Sequence, residues 1–186
     1  SSIIYPPVDT ARFAAARFAT DRGTPRRRYL LSLGRLIPYK RVDLAVEACT
    51  RLGLELWVAG SGRDRERLER LAGPTVRFLG RVPDAEVPGL FGNARAFIFP
   101  GLEDFGIAPV QALAAGTPVV AFNRGSVPEL IEDGLTGFIV EDEDEAAQAV
   151  RRLSALSPAR IRARFEQRFT ASRMARDYLA VYRRLA

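Results

Sequence analysis

Short apolar runs rich in β-branched and aromatic residues recur along the chain, and between them apolar positions return every three or four residues. The first pattern is that of strands and the second that of amphipathic helices. Strands are predicted near Tyr29–Leu33, Leu54–Ala59, Val76–Leu79, Ala96–Phe99, Val119–Phe122 and Phe138–Val140. Helices are predicted between them, over Val42–Leu52, Arg63–Leu71, Ala85–Phe91, Pro109–Ala115 and Val127–Ile131. Such alternation points to a parallel sheet covered on both faces. Pro109 suits a first helical turn, and Ser126 with Glu129 has the spacing of a capping box. After the last strand come three more helices, roughly Glu143–Leu156, Pro158–Phe169 and Ala171–Arg184, the later two announced by Ser157-Pro158 and by Thr170. No linker, repeat or low-complexity tract divides residues 1–186. The predicted fold is one α/β domain, a doubly wound, Rossmann-like parallel sheet of about six strands with a helical C-terminal tail.

Composition narrows the chemistry more than the fold. Hydrophobic residues make up 47% and charged residues 27%, an ordinary soluble balance. No apolar run approaches the roughly 20 residues of a membrane span. The opening "SSIIYPPVDT" lacks the charged, apolar and cleavage regions of a signal peptide. The single cysteine, Cys49, lies on the helical face of "LAVEACTRL" and reads as a core thiol, so neither an internal disulfide nor a cysteine metal cluster is expected. These features fit a reducing cytoplasm. The chain has no histidine, which excludes Ser-His, Cys-His and His-metal chemistry within it.

Charge is unevenly spread. Within a net +6, residues 101–150 carry −9, concentrated in "VEDEDEA", and residues 151–186 carry +8. The basic tail alternates arginine with apolar residues at helical spacing. It reads as a solvated helix face or as a surface for an anionic membrane or lipid phosphate. Nucleic acid is not expected, because no reading motif or base-stacking aromatic cluster accompanies the charge. Lys40 is the lone lysine beside 27 arginines, which suggests that a compact point charge is wanted there, with chance the rival explanation.

In doubly wound sheets, ligands bind beyond the carboxyl ends of the strands, where strand order reverses. The loops in that position are "GRLIPYKR", "GSGRD", "GRVPDAE", "PGLEDFGIAP" and "NRGSVPE". The first, opening at Gly34, sets Arg35 and Lys40 five residues apart, either converging on a diphosphate or standing as two solvated cations. "GSGRD" taken alone is no more than a tight turn. In "GLEDFGIAPVQALAAG", Gly106 to Pro109 would open a helix whose free amides attract anions, yet Glu103 and Asp104 stand at its edge. A phosphorylated sugar satisfies both: carboxylates accept from its hydroxyls while the amides take the phosphate. Gln111, on the first turn of that helix, could reach a ribose. The plainer alternatives are a helix cap for Asp104 and a surface amide for Gln111.

Taken together, "GRLIPYKR", "VAGSG", "VRFLGRVPDAEV" and "FPGLEDFGIAPVQALAAGTPVVAFNRGSVPELIEDGLTGFIV" resemble, in order, the signatures of the carboxyl-terminal, donor-binding half of retaining glycosyltransferases of family 4, which have the GT-B fold. The resemblance runs from about Ile4 to the terminal helix. The form "EDFGI" within "FPG" is most similar to bacterial O-antigen mannosyltransferases, which use GDP-mannose. By this resemblance Arg35 and Lys40 hold the donor diphosphate and stabilise its departure, and Glu103, first acid of the family's Glu-x7-Glu motif, contacts hydroxyls of the transferred sugar. The amides of Phe105, Gly106 and Ile107 sit against sugar and phosphate. Gly80 to Asp84 lies along the nucleobase with Val82 beside it. The second acid of the motif falls at Gln111, where a neutral amide can still bond a ribose diol but forgoes the stronger charge-assisted bonds.

The resemblance implies transfer of a hexose, mannose by its finer form, from a nucleotide diphosphate sugar to an acceptor hydroxyl with retention. No cofactor or metal is expected, since Arg35 and Lys40 would do the electrostatic work. A GT-B enzyme has a second such domain, which carries the acceptor groove. The expectation is that it lies outside these residues, so that the chain alone binds a donor without turning it over. A lipid-linked acceptor would bring the protein to the inner face of a membrane. The rival readings are a non-catalytic nucleotide-sugar binding module, a UDP-sugar-dependent transferase, and a sugar phosphorylase of the same fold, whose pyridoxal phosphate lysine has no candidate beyond Lys40.

Overall fold

Six parallel strands form a single sheet in the order β3-β2-β1-β4-β5-β6. They are β1 (Leu30–Leu33), β2 (Leu56–Ala59), β3 (Val76–Gly80), β4 (Ala96–Phe99), β5 (Val119–Phe122) and β6 (Gly137–Val140). The structure, a computed structural model, describes residues 2–13 and 29–185. Chain order runs outward from β1 to β3, then returns to lay β4 on the other side of β1, with Leu30 beside Ala96 and Leu31 beside Phe97. The order therefore reverses between β1 and β4, and a crevice opens beyond their carboxyl ends.

The helices are α1 (Val42–Leu52), α2 (Arg65–Leu71), α3 (Val87–Asn93), α4 (Ile107–Ala114), α5 (Val127–Leu130), α6 (Glu143–Arg152), α7 (Pro158–Arg168) and α8 (Ala171–Leu185). They pack in two groups, α1 with α2 and α6, and α4 with α3 and α7. The pleat of β4 explains the division. Ile98 faces the side where α1 and α6 meet, while Phe97 turns the other way and meets Phe91 of α3 edge-on at 5.2 Å. With both faces covered, β4 and β5 are buried along their whole length. Burial of this kind is what the uninterrupted apolar runs require, each large side chain contributing about 1.5–3 kcal/mol.

The strands lie where the apolar runs predict, but several helix starts differ for local reasons. α2 begins at Arg65 rather than Arg63, because Asp64 is a turn residue whose carboxylate accepts from Arg67 Nε and Nη2 at 2.7 and 2.8 Å. That hydrogen bond, more than the surrounding charge, holds the Asp64 carboxyl below its ordinary pKa. α3 begins at Val87 rather than Ala85, so that Pro88 falls in the first turn, where a missing N–H is harmless. α4 begins at Ile107 with Gly106 at its N-cap, which moves Gln111 from the first turn to the second. The long helix expected over residues 143–156 ends at Arg152 and tightens into a 3-10 turn, Leu153–Ala155.

The Ser126–Glu129 capping box does not form. A capping serine needs an extended backbone, and Ser126 has φ −76 and ψ −8, so its side chain makes no cap bond. The Glu129 amide donates to the Ser126 carbonyl, and its carboxylate accepts from Tyr5 Oη at 3.1 Å. Tyr5 belongs to the amino-terminal segment, whose Val8 amide donates to the Phe169 carbonyl at 3.0 Å. α8 buries none of its residues and leaves Tyr178, Leu179, Tyr182 and Leu185 exposed. No helix among the described residues is long and apolar enough to cross a membrane.

Candidate functional site

Beyond the carboxyl ends of β1 and β4 lies an open cleft of about 460 Å³, within the roughly 300–1,000 Å³ of small-molecule sites. Its walls come from the two loops that follow these neighbouring strands. Gly34, Arg35 and Lys40 line one side, and Glu103, Phe105, Gly106 and Ile107 the other.

The first loop is held open by its neighbour. Gly34 donates to the Ala59 carbonyl, Leu36 donates to the Ser61 carbonyl, and Asp64 donates to the Leu36 carbonyl, each at about 3 Å. "GSGRD" is therefore a brace under "GRLIPYKR", and among the described residues it supplies no side chain to the cleft. Past Leu36 the loop tightens into a 3-10 turn, Pro38–Lys40, and leaves it through Arg41, whose φ of 49 is left-handed. The turn is a detail that hydrophobic periodicity cannot show. It delivers Lys40 to the cleft, where its ammonium ion-pairs with Oε1 of Glu103. Burial, followed by the positive field of Arg35, lowers the Lys40 pKa from its ordinary value.

The second loop is pinned from the β5–α5 turn. The Ser126 amide donates to the Glu103 carbonyl at 3.0 Å. A Cβ on Gly125, at φ 57, would lie 2.4 Å from that same carbonyl oxygen, so only glycine permits the approach. Gly106, at φ 83, then turns the chain into α4. The first amides of that helix have no intrahelical acceptor and carry the positive end of its dipole. No acidic residue occupies the first turn of α4, and Asp104 is exposed.

The cleft thus joins two cations, one carboxylate and a helix N-terminus. Such a set can grip an anion with several oxygens and accept hydrogen bonds from neutral hydroxyls beside it. Three of the predicted residues do not line it. Gln111 is half-buried on the second turn of α4. Val82 and Asp84 follow the edge strand β3, with Val82 packed on the core and the Asp84 carbonyl accepting from Arg12 Nη2. The cleft also includes residues that no loop pattern singled out, among them Pro6, whose neighbour Tyr5 stacks on Phe105 at 6.4 Å. Its position there depends on contact across about a hundred residues, which no local motif announces.

Residues 18–169 match the family described as "Glycosyl transferases group 1". A curated relative, the GDP-mannose-dependent alpha-(1-6)-phosphatidylinositol monomannoside mannosyltransferase of Mycolicibacterium smegmatis, is 33% identical over 75% of this chain and 42% of its own. Glycogen synthase of Mycobacterium tuberculosis is 32% identical over 98% of this chain and 49% of its own. The chain therefore spans less than half the length of these relatives. Among solved structures, HepE of Anabaena in complex with UDP and glucose superposes with a TM-score of 0.80 at 20% identity, over 97% of this chain and 56% of that one. The fold is that of a GT-B glycosyltransferase domain, and the chain belongs to the group 1 glycosyl transferases.

Proposed function

We propose that the cleft is the donor site of a retaining hexosyltransferase and that its donor is GDP-mannose. One observation carries the reading: Arg35, Lys40, Glu103 and the N-terminus of α4 line the same cleft at the switch point of the sheet. Arg35 and Lys40 hold the diphosphate and offset the charge that develops on it as the glycosidic bond breaks, a role in which fixed cations act without reorganising. The amides of Phe105, Gly106 and Ile107 face phosphate and sugar, and Glu103 accepts from sugar hydroxyls. The nucleoside extends toward the loop after β3, with the base along Gly80–Asp84 beside Val82 and the ribose against Gln111. No metal ion or cofactor is assigned. A second domain of comparable size supplies the acceptor groove, and the chain alone binds donor without turnover. The exposed apolar side chains of α8, beside Arg183 and Arg184, suit contact with an anionic membrane surface at its cytoplasmic face or with a lipid-linked acceptor.

Mannose and guanine rest on the names of relatives such as the mycobacterial enzyme, and UDP is the second reading, favoured by the UDP complex of HepE. Calorimetry with GDP, UDP and GMP separates them. GDP should outbind UDP by about tenfold or more, because polar groups that pair with one base are left unpaired by another. The reverse order would reassign the base, and equal affinity for GDP and GMP would remove the diphosphate role.

Gln111 provides an independent check of the ribose. Gln111→Ala should weaken GDP and GDP-mannose by the same factor, about 1 kcal/mol, as one neutral hydrogen bond is lost. Gln111→Glu should hold or improve both affinities, since a carboxylate accepts more strongly than an amide. Loss of binding in Gln111→Glu would mean that this position faces a different group.

A further inference from the structure

The cation that the donor's diphosphate needs is already occupied. Lys40 Nζ is paired with Glu103 Oε1, and the two side chains are 21% and 22% exposed, so the pair is shielded from full solvation. Arg35 lines the same cleft, close enough for its charge to act on Lys40. A diphosphate brought to Lys40 would meet the Glu103 carboxylate, and two like charges at one ammonium repel. One of them must leave.

The main chain shows which part can move. A Cβ on Gly101 would lie 2.9 Å from the Lys40 carbonyl oxygen, so the loops that carry Lys40 and Glu103 touch backbone to backbone. The Glu103 carbonyl is held by the Ser126 amide. With both backbones fixed, the freedom left lies in the two side chains, and the glutamate is the one that can turn away without carrying the cation out of the cleft.

Building on the donor-site reading, we propose that donor binding is a counter-ion exchange: the diphosphate displaces Glu103 from Lys40, and the released carboxylate turns to the hydroxyls of the sugar. In the ligand-free protein Glu103 is an intramolecular occupant of the anion site. No bond to carbon or phosphorus changes in this step; one carboxylate–ammonium contact is replaced by a phosphate–ammonium contact. Glu103 thereby becomes a specificity-determining residue. A nucleotide sugar offers the displaced carboxylate new donors, whereas a nucleoside diphosphate, the product of transfer, displaces it and offers nothing. The exchange weakens product binding more than donor binding.

The test uses Glu103→Gln, which keeps the shape and removes the charge, with GDP, inorganic pyrophosphate and GDP-mannose as probes in calorimetry. GDP and pyrophosphate should bind Glu103→Gln about threefold to fivefold more tightly than the parent, the scale of a partly exposed ion pair. The preference for GDP-mannose over GDP should shrink by at least the same factor. In a Lys40→Ala background the gain should fall, because no Lys40–Glu103 pair has to be broken and only the repulsion by the Glu103 carboxylate is removed. Glu103→Ala gives the same sign for GDP without any residual hydrogen bond to Lys40. Since Lys40 is the only lysine in the chain, a lysine labelled with nitrogen-15 at Nζ gives one side-chain signal. Pyrophosphate should move this signal in the parent, and the pyrophosphate-bound signals of the parent and of Glu103→Gln should coincide, since in both the ammonium faces phosphate and no longer the carboxylate. If the parent binds GDP and both variants bind it equally or more weakly, the exchange is wrong and the donor site stands. If neither parent nor variants bind any nucleoside diphosphate or pyrophosphate, both the exchange and the donor-site reading fall.

Discussion

Replacing Lys40 with alanine is expected to weaken binding of GDP by about 1–3 kcal/mol, a loss of about fivefold to more than a hundredfold, as for hydrogen bonds to charged groups. Lys40 is the smaller and more adaptable of the two cations in the cleft, and it sits at the end of a 3-10 turn that presents it to the opposite wall. Its removal leaves Arg35 as the nearest cation and strips Glu103 of its counter-ion, so the diphosphate loses an attraction and gains a repulsion together. GMP should lose less than GDP if Lys40 meets the distal phosphate. Lys40→Arg should restore only part of the affinity, because a planar guanidinium cannot occupy the place of a compact ammonium without moving its partners. Calorimetry on the three proteins with GDP and GMP reads all of this, and a loss equal for both nucleotides would move Lys40 away from the distal phosphate.

The largest effect on stability is expected from Gly60→Ala. Gly60 follows β2 at φ 136, and a Cβ there would lie 1.8 Å from the Gly34 carbonyl oxygen. The colliding atom is backbone, so no side-chain rotation relieves it. Gly34 is also tied to Ala59 by a 3.0 Å hydrogen bond, and Gly60 to Gly80 by one of 2.7 Å. The ends of β1, β2 and β3 would have to part. Forced overpacking contributes about 1–3 kcal/mol, and a glycine-only backbone region about 1–3 kcal/mol more. Together these should lower the thermal midpoint of a domain this size by roughly 10 °C. Gly53→Ala is the control, since its φ of 63 is also left-handed but nothing lies within 4 Å of the added carbon. Thermal unfolding of the two variants should show Gly60→Ala much the worse. Equal losses would mean that backbone strain, not the contact with Gly34, limits the position.

The strands were legible because each is a short, predominantly apolar run, broken only by Ser32 in β1 and Arg77 in β3, and such runs admit few alternatives inside a covered sheet. The helix starts were less so, for periodicity does not distinguish a first turn from the turn before it; Asp64 and Pro88 decided those cases by hydrogen bonding and by ring geometry. The Ser126–Glu129 spacing misled for a related reason: a capping box depends on the backbone angles of its serine, which sequence spacing does not report. For the site, Gly34, Arg35, Lys40, Glu103, Phe105, Gly106 and Ile107 converge because their two loops follow β1 and β4, which lie side by side; the alternating pattern predicts a parallel sheet but not which strands are neighbours. The pairing of Lys40 with Glu103 and the arrival of Pro6 at the cleft arise only when distant segments meet.

Arg173 of α8 donates through Nη2 to the carbonyl of Tyr5, and the ring of Tyr5 rests on Phe105 at the rim of the cleft. α8 is a long, unburied arm reaching Leu185, and Tyr5 ties its first turn to Phe105 on one side and lies against Phe169 on the other. The contact of α8 with the rim of the cleft thus runs through one hydrogen bond and one ring pair, both made by Tyr5.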